Sequence, residues 1–391
     1  MSVVPESRAA PDHRDLLERF AAGHRPALAR VISIVENGRP GFEALLDTLH
    51  PRLGRAHRIG VTGPPGAGKS TLTTALVQLY RRQGLRVAVV AVDPTSPFTG
   101  GALLGDRIRM NDVALDEGVF IRSMATRGAL GGLALTTREV ADVMDAFGFD
   151  RLIIETVGVG QSELDIAAAA DTTVVVLVPE SGDSVQAMKA GLMEAADLFV
   201  INKADRPGAD KLAREVSLMI HLRLGQGMRN VPAHHGVRLK APGTSAPATS
   251  GATATTGAAA GATSSAAAEH TPHPQPPAVP PPPRPPSPPP AVNPWEIPVL
   301  KTIAETGSGV EELEKTITAH GEWLDRSGER SKRRRQRLAE RVREQVARRL
   351  QQLAWQQKGA RLLEESLPEL EEGRATPYAV AARIVRAVSG E

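Results

Sequence analysis

Arg58-Ile59-Gly60-Val61-Thr62-Gly63-Pro64-Pro65-Gly66-Ala67-Gly68-Lys69-Ser70-Thr71-Leu72 is the stretch that decides the fold. It opens as a short apolar strand, passes through a glycine-rich turn and runs into a helical pattern. Gly63 to Ser70 completes G-x-x-x-x-G-K-[ST] in the strand–turn–helix context that this motif needs. Gly63, Gly66 and Gly68 let the backbone wrap tightly. They aim amide N–H groups at phosphate oxygens, with Pro64, Pro65 and Ala67 completing the loop, and the helix starting at Lys69 adds the positive end of its dipole. Lys69 is placed to neutralise charge on β- and γ-phosphates and Ser70 to ligate Mg²⁺. Thr71, in the same turn, is taken with the nucleotide-binding residues. A glycine turn before an ordinary helix is the bland alternative, and it does not require eight matched positions in one frame.

Outward from this stretch the chain alternates between β-branched runs and helical patterns. Strands are predicted at Arg58–Thr62, Arg86–Val92, Val119–Ser123, Arg151–Glu155, Thr172–Val178, Leu198–Ile201 and Pro298–Ile303. Helices are predicted between them near Lys69–Gln83, Leu133–Phe147, Ser184–Ala195 and Asp210–Leu224. That order indicates an α/β fold with a mainly parallel sheet, whose ligands gather at the carboxyl ends of the strands. Before it, residues 14–57 read as helical, with a stop at Asn37-Gly38 and a second short helix over Phe42–Leu53. After Gly309 a helix runs to about Leu324, then a charged stretch Arg330–Lys358, with Pro368 breaking the pattern and a last amphipathic piece from Pro377 to Val388.

Composition bounds the rest. Of the 391 residues and 31 prolines, residues 241–294 hold 16 prolines and only two charged residues, Glu269 and Arg284. Such a segment buries too little apolar surface to offset its ordering entropy, and it reads as a disordered insert. There are no cysteines, which excludes disulfides, thiolate metal sites and cysteine nucleophiles. Apolar runs such as Val174–Val178 are far short of the roughly 18 residues of a membrane span, and no signal-peptide pattern is seen. The expectation is a soluble, cytoplasmic protein without a membrane partner. The net charge of +3 is concentrated: residues 330–349 carry ten Lys/Arg against two Glu, so the remainder sums to −5.

Three further segments bear on chemistry. Asn202-Lys203-Ala204-Asp205 follows the strand Leu198–Ile201. The Asp205 carboxylate can accept from guanine N1–H and N2–H₂, which adenine lacks on that edge, while Asn202 and Lys203 hold the base and its loop. The nucleotide is therefore read as GTP/GDP. Glu155-Thr156-Val157-Gly158 ends another strand; Glu155 suits a Mg²⁺-linked water and Gly158 a γ-phosphate contact. An acidic strand cap followed by a glycine turn is its plain alternative. The polar loop from Asp93-Pro94-Thr95-Ser96 to Gly105-Asp106-Arg107 begins and ends with an acid, so Asp93 or Asp106 could orient water or a Mg²⁺ shell; a simple solvated loop competes with that reading.

Taken together these motifs resemble the methylmalonyl-CoA mutase-associated GTPases (MeaB or ArgK type), within the P-loop GTPases that include metallochaperones. The specific stretches are Ala27–Arg30, Arg58–Leu72, Val92-Asp93-Pro94, Gly100–Arg107, Glu155–Glu163 and Gly182-Asp183-Ser184-Val185-Gln186-Ala187-Met188-Lys189-Ala190-Gly191. The resemblance implies a GTP-hydrolysing chaperone for an adenosylcobalamin-dependent acyl-CoA mutase. It implies a switch loop at Gly182, Asp183, Gln186 and Lys189 that reorders against this partner, and it places Ala304, with its N–H facing the base oxygen, in the guanine-side loop. It makes the C-terminal region a homodimerisation arm. The implied layout is 1–57 helical extension, 58–240 first part of the G domain, 241–294 insert, 295–325 last strand and helix, and 326–391 arm. A nickel metallochaperone-type GTPase and a transport-associated ATPase or kinase are the alternatives. Missing cysteines argue against the first, and Asp205 against an adenine nucleotide.

Weaker signals have ordinary explanations. Lys332-Arg333-Arg334-Arg335 could suggest nucleic acid, but Leu338, Val342, Val346, Leu350 and Leu353 recur on one side, so the segment reads as a solvated basic face with an apolar packing stripe. Few aromatics interleave for base stacking. His221, His234, His235, His270 and His273 lack metal-ligand spacing. Trp295 reads as an anchor re-entering the fold, and Trp323 and Trp355 as packing on helices.

Overall fold

The computed structural model describes residues 13–93, 110–125, 134–156, 162–179, 192–223, 293–355 and 358–389. Seven strands form one parallel sheet: β1 (His57–Thr62), β2 (Val87–Asp93), β3 (Val119–Ala125), β4 (Arg151–Thr156), β5 (Thr172–Leu177), β6 (Leu198–Ile201) and β7 (Val299–Lys301), in the order β3-β2-β4-β1-β5-β6-β7. β7 pairs with β6 through Phe199–Val299 to Ile201–Lys301 although 97 positions separate the strands' ends, so the sheet closes across the proline-rich segment. The helices are α1 (Arg14–Ala21), α2 (Arg25–Glu36), α3 (Phe42–Leu49), α4 (Lys69–Arg82), α5 (Ala134–Phe147), α6 (Ser162–Ala169), α7 (Ala209–Arg223), α8 (Val310–Arg326), α9 (Glu329–Trp355), α10 (Lys358–Glu371) and α11 (Pro377–Ser389). Short helical turns lie at Asn111–Ala114 and Met193–Ala195.

Period-two alternation sorts side chains to two covered faces. Leu152 and Ile154 of β4 pack with α1, α2, α5 and α6, whereas Ile153 between them packs with α4 and α8. Val175 and Leu177 of β5 point to α7. All six residues of β5 are buried, which explains its unbroken apolar run.

Two local differences from the sequence reading have clear causes. The N-terminal helical region breaks at Gly23, in the left-handed region at φ 82°, as well as at Asn37-Gly38. Pro368 lies inside α10 rather than ending it. It falls in the last turn, where a single missing N–H costs little cooperativity.

The C-terminal helices differ more. The basic side of α9 is its docking side. Asp171, at the start of β5 and 1 % exposed, accepts Arg330 Nη1 at 3.2 Å, Arg334 Nη2 at 2.8 Å and Arg337 Nη2 at 2.5 Å. Arg333 grips Asp197 at 3.0 Å and Arg341 pairs with Asp142. Burial would push the Asp171 carboxyl up, but the hydrogen bonds and charges of Arg334 and Arg337 outweigh it and hold the group well below the usual carboxylate range. Leu338, Val342, Val346, Leu350 and Leu353, expected to pack, are instead 45–63 % exposed. Trp355, expected on a helix face, is also exposed. Trp295 does anchor the return, donating Nε1–H to the Asp197 carbonyl at 2.9 Å and stacking near His320 and Trp323.

A polar chain crosses the same end of the sheet. His57 Nε2 lies 2.7 Å from the Thr172 hydroxyl, which lies 2.8 Å from His320 Nδ1, while His320 Nε2 faces Asp197 Oδ1 at 3.4 Å. With the proton on His320 Nε2, Thr172 donates to His320 and accepts from His57, so both hydroxyl links are satisfied with both rings neutral, while His320 Nε2 makes only an electrostatic approach to Asp197. Burial dominates both titrations and lowers His57 to about 3 and His320 to about 4. The unfolded chain protonates near the ordinary 6.5, so between that pH and 4 it binds more protons than the folded protein. Stability is therefore full above about pH 6.5 and falls, by up to about 1.4 kcal/mol per pH unit per ring, as pH drops towards 4. Thermal midpoints between pH 7 and 4.5 test this. A slope that His320→Gln leaves unchanged would exclude His320 as its source.

Candidate nucleotide site

The loop between β1 and α4 curls through positive φ at Gly63 (135°), Gly66 (75°) and Gly68 (83°). Two of these glycines are forced by contact as well as by φ. A Cβ on Gly63 would lie 2.0 Å from the Val176 carbonyl, and one on Gly68 2.4 Å from Asn202 Nδ2. The loop is thus pinned between β5 and the loop after β6. α4 begins without a side-chain cap and without an acid in its first turn. Its first N–H groups are left to an external anion at the positive end of the helix.

Lys69, 5 % exposed, donates from Nζ to the Gly63 carbonyl at 2.8 Å and the Pro64 carbonyl at 2.9 Å. The ammonium therefore sits inside the loop that the glycines shape, with Pro65 and Ala67 completing its rim. Ser70 Oγ donates to Glu155 Oε1 at 2.6 Å, and both residues are buried. A hydroxyl and a carboxylate this close form a hard-oxygen pair of the kind Mg²⁺ takes together with phosphate oxygens. The Thr156 hydroxyl donates to that of Thr62 at 3.1 Å, tying the ends of β4 and β1 beneath them.

The base side is built from two distant loops. Asn202 Nδ2 donates to the Ala67 carbonyl at 2.8 Å, while its Oδ1 accepts from the Thr302 hydroxyl and the Ala304 N–H, each at 3.1 Å. Lys203 lies at φ 55°, the single non-glycine in the left-handed region among the described residues. Its Nζ donates to the Gly66 carbonyl at 2.9 Å. That conformation costs about 1–2 kcal/mol and is held from both ends, a pattern typical of functional turns. Asp205, exposed, lines a cleft of about 230 Å³ with Gly66, Gly68, Thr71, Ala304 and Glu305.

The structure brings together Gly63 to Thr71, Glu155, Asn202, Lys203, Asp205 and Ala304. Asp93 closes β2, next to Ala125 on one side, and its backbone lies at the same carboxyl end of the sheet. Asp106, Gly158, Gly182, Asp183, Gln186 and Lys189 lie outside the described residues. The Ala304 N–H, expected to face the base, is donated to Asn202. Thr302, Arg206 and Glu305 were missed as site residues. Thr302 was legible in principle as a hydroxyl at a strand end two positions before Ala304.

A parallel sheet with this glycine loop, the buried Lys69 and Ser70, and an Asn-Lys-x-Asp cleft beside them defines a P-loop GTPase. A family model described as methylmalonyl Co-A mutase-associated GTPase MeaB matches residues 28–359. The chain belongs to that family, and it is a GTPase that binds guanine nucleotide. It is 41 % identical over 333 residues to a GTPase of Pyrococcus horikoshii, covering 85 % of each chain. It is 48 % identical to the GTPase ArgK of Escherichia coli over 48 % of this chain and 58 % of that one. A solved structure described as LAO/AO transport system kinase covers 97 % of this chain and all of its own, with a TM-score of 0.60 at 26 % identity. No helix among the described residues is long and apolar enough to cross a membrane.

Proposed function

We propose that this GTPase is a cytoplasmic, homodimeric chaperone that couples GTP hydrolysis to cofactor loading or protection of an adenosylcobalamin-dependent acyl-CoA mutase. The observation that carries the reading is the family match over residues 28–359, whose description names association with that mutase. A further support is 41 % identity over 197 residues to the methylmalonic aciduria type A homolog of Mus musculus. Exposed Leu350, Leu353 and Trp355 at the end of α9 supply an apolar surface of the kind a dimer arm buries.

In this reading the N–H groups of the Gly63–Gly68 loop and of the first turn of α4 bind the β-phosphate. Lys69 leaves the Gly63 and Pro64 carbonyls for the β- and γ-oxygens. Ser70 and Glu155 would hold Mg²⁺, which would supply charge neutralisation on the transferring phosphoryl group. Asp93 or Asp106 orients water, and Gly158 contacts the γ-phosphate. Catalysis is by positioning and charge neutralisation. Val159 follows Gly158 where a water-orienting Gln commonly stands, and no arginine is fixed by sequence as an internal finger. The enzyme alone should therefore be slow, and a docked partner should swing Lys189 or Gln186 inward. Added mutase is expected to raise single-turnover GTP hydrolysis at least about tenfold, a floor well below the roughly 10³–10⁵ that an added cation can give. Lys189→Ala is expected to remove most of that gain and spare GTP affinity. A wild-type rate that is fast alone and indifferent to mutase would defeat the partner reading.

A further inference from the structure

Away from the nucleotide, α3, α5 and α9 enclose a cleft of about 620 Å³. Its walls are apolar, with Phe42, Leu46 and Leu49 from α3 and Leu338, Val342 and Val346 from α9. Two carboxylates enter it from α5, Asp142, which is paired with arginines, and Glu139. Glu139 is 4 % exposed and lines the cleft, without a hydrogen bond or ion pair among the described residues.

All the arginines nearby but Arg348 are committed elsewhere, and Arg348 stands beyond ion-pair distance of Glu139. Arg58 serves Asp142 and Asp145, Arg341 serves Asp142, Arg138 serves Glu344 and Arg349 serves Glu43. Glu139 is the buried carboxylate left over, Asp47 being exposed, and an ionised carboxylate without a counter-charge is costly to bury. Burial accordingly raises it to about 7, Asp142 and Glu43 adding to the rise and Arg341 and Arg348 opposing it at longer range.

The geometry points to a binding site for a small amphipathic amine, its ammonium on the Glu139 carboxylate and its aromatic or short alkyl body between Phe42, Leu46, Val342 and Val346. Charge selects the sign: Glu43, Asp47, Glu139 and Asp142 line the cleft against Arg341 and Arg349. An anion would meet excess negative charge, and a neutral apolar molecule would leave Glu139 uncompensated. Volume selects the size. At about 620 Å³ the cleft falls inside the range of about 300 to 1,000 Å³ that small-molecule pockets span.

Calorimetric titration of the full chain with 2-phenylethylamine, 2-phenylethanol and phenylacetate tests the site. The amine is expected to bind saturably, the alcohol at least tenfold more weakly, and phenylacetate not at all. Glu139→Gln is expected to weaken the amine at least tenfold while keeping GTP affinity and the thermal midpoint at pH 8, because it removes an uncompensated buried charge. An alkylamine stays protonated to about pH 10, so its affinity should rise from pH 6 to 8 as Glu139 ionises, and should stay flat in Glu139→Gln. Glu43, Asp47 and His50 from the α3 side, Asp142 on α5, and Arg341, Arg348 and Arg349 on α9 are common to both proteins, so the difference belongs to Glu139. Amine binding unchanged by Glu139→Gln, or phenylacetate binding as well as the amine, overturns the proposal. So does a cleft filled by a second copy of the chain, seen as no amine binding together with a dimer dissociation constant that Glu139→Gln shifts.

Discussion

Asp205→Asn is expected to weaken GTP by about 10²–10⁴-fold and to improve xanthosine triphosphate relative to GTP. Guanine presents two donors, N1–H and N2–H₂, to one carboxylate, and hydrogen bonds to a charged acceptor are worth about 1.5–3 kcal/mol each. Xanthine carries a carbonyl in place of the amine, which an Asn side-chain amide can meet with its own N–H. The surrounding geometry favours a clean result. Asp205 is exposed at the cleft and makes no ion pair among the described residues, whereas Asn202 and Lys203 stitch the loop to Ala67 and Gly66. The substitution should therefore change base choice without unfolding the loop. Competition of GTP, ATP and xanthosine triphosphate for a fluorescent guanine nucleotide provides the measurement. Unchanged GTP affinity would remove Asp205 from the base site.

Asp171→Ala should be the most damaging single change away from the nucleotide. It leaves Arg330, Arg334 and Arg337 converging on a site without its carboxylate, and also removes the acceptor for the Arg58 N–H at 3.3 Å. Breaking a buried pair by deleting one partner costs about 3–5 kcal/mol, which is a fall of about 6–20 °C in thermal midpoint for a domain of this size. Glu340→Ala, which removes an exposed pair with Arg343 on the same helix, should stay within about 0.5 kcal/mol. A melt of Asp171→Ala within about 2 °C of wild type would show that α9 is not held through this carboxylate.

That contrast explains what was legible in the sequence. The seven strands and the phosphate loop were readable because each is encoded within about fifteen residues. β-Branched runs bounded by glycines, an unbroken motif and a capless helix start all act locally. Asn202 and Asp205 were readable for the same reason. The docking of α9 was not. Its basic and apolar stripes are equally good candidates for an inward face, and the deciding group is a single Asp171 more than 150 positions away. Glu139 gives no local signal either, because its meaning depends on which of the neighbouring arginines are taken by other carboxylates. The cap by Asn202 of the Ala304 N–H likewise follows from three-dimensional geometry, since either oxygen, of the base or of Asn202, would satisfy that donor on paper.

The bond from Asn202 to Thr302 and Ala304 also fixes an order of events during synthesis. These partners are 100 and 102 positions apart, and a ribosome adding about 5–20 residues per second takes about 5–20 s to pass from the first to the second. Throughout that interval the emerging chain holds its phosphate loop, β1 to β6 and Asp205, but neither the β7 edge nor the wall behind the base. A nascent chain can thus meet a nucleotide, with Asp205 already made, before Asn202 is braced from the β7 side. That bracing arrives late in translation, once the proline-rich segment has been made and the sheet has recovered its last strand.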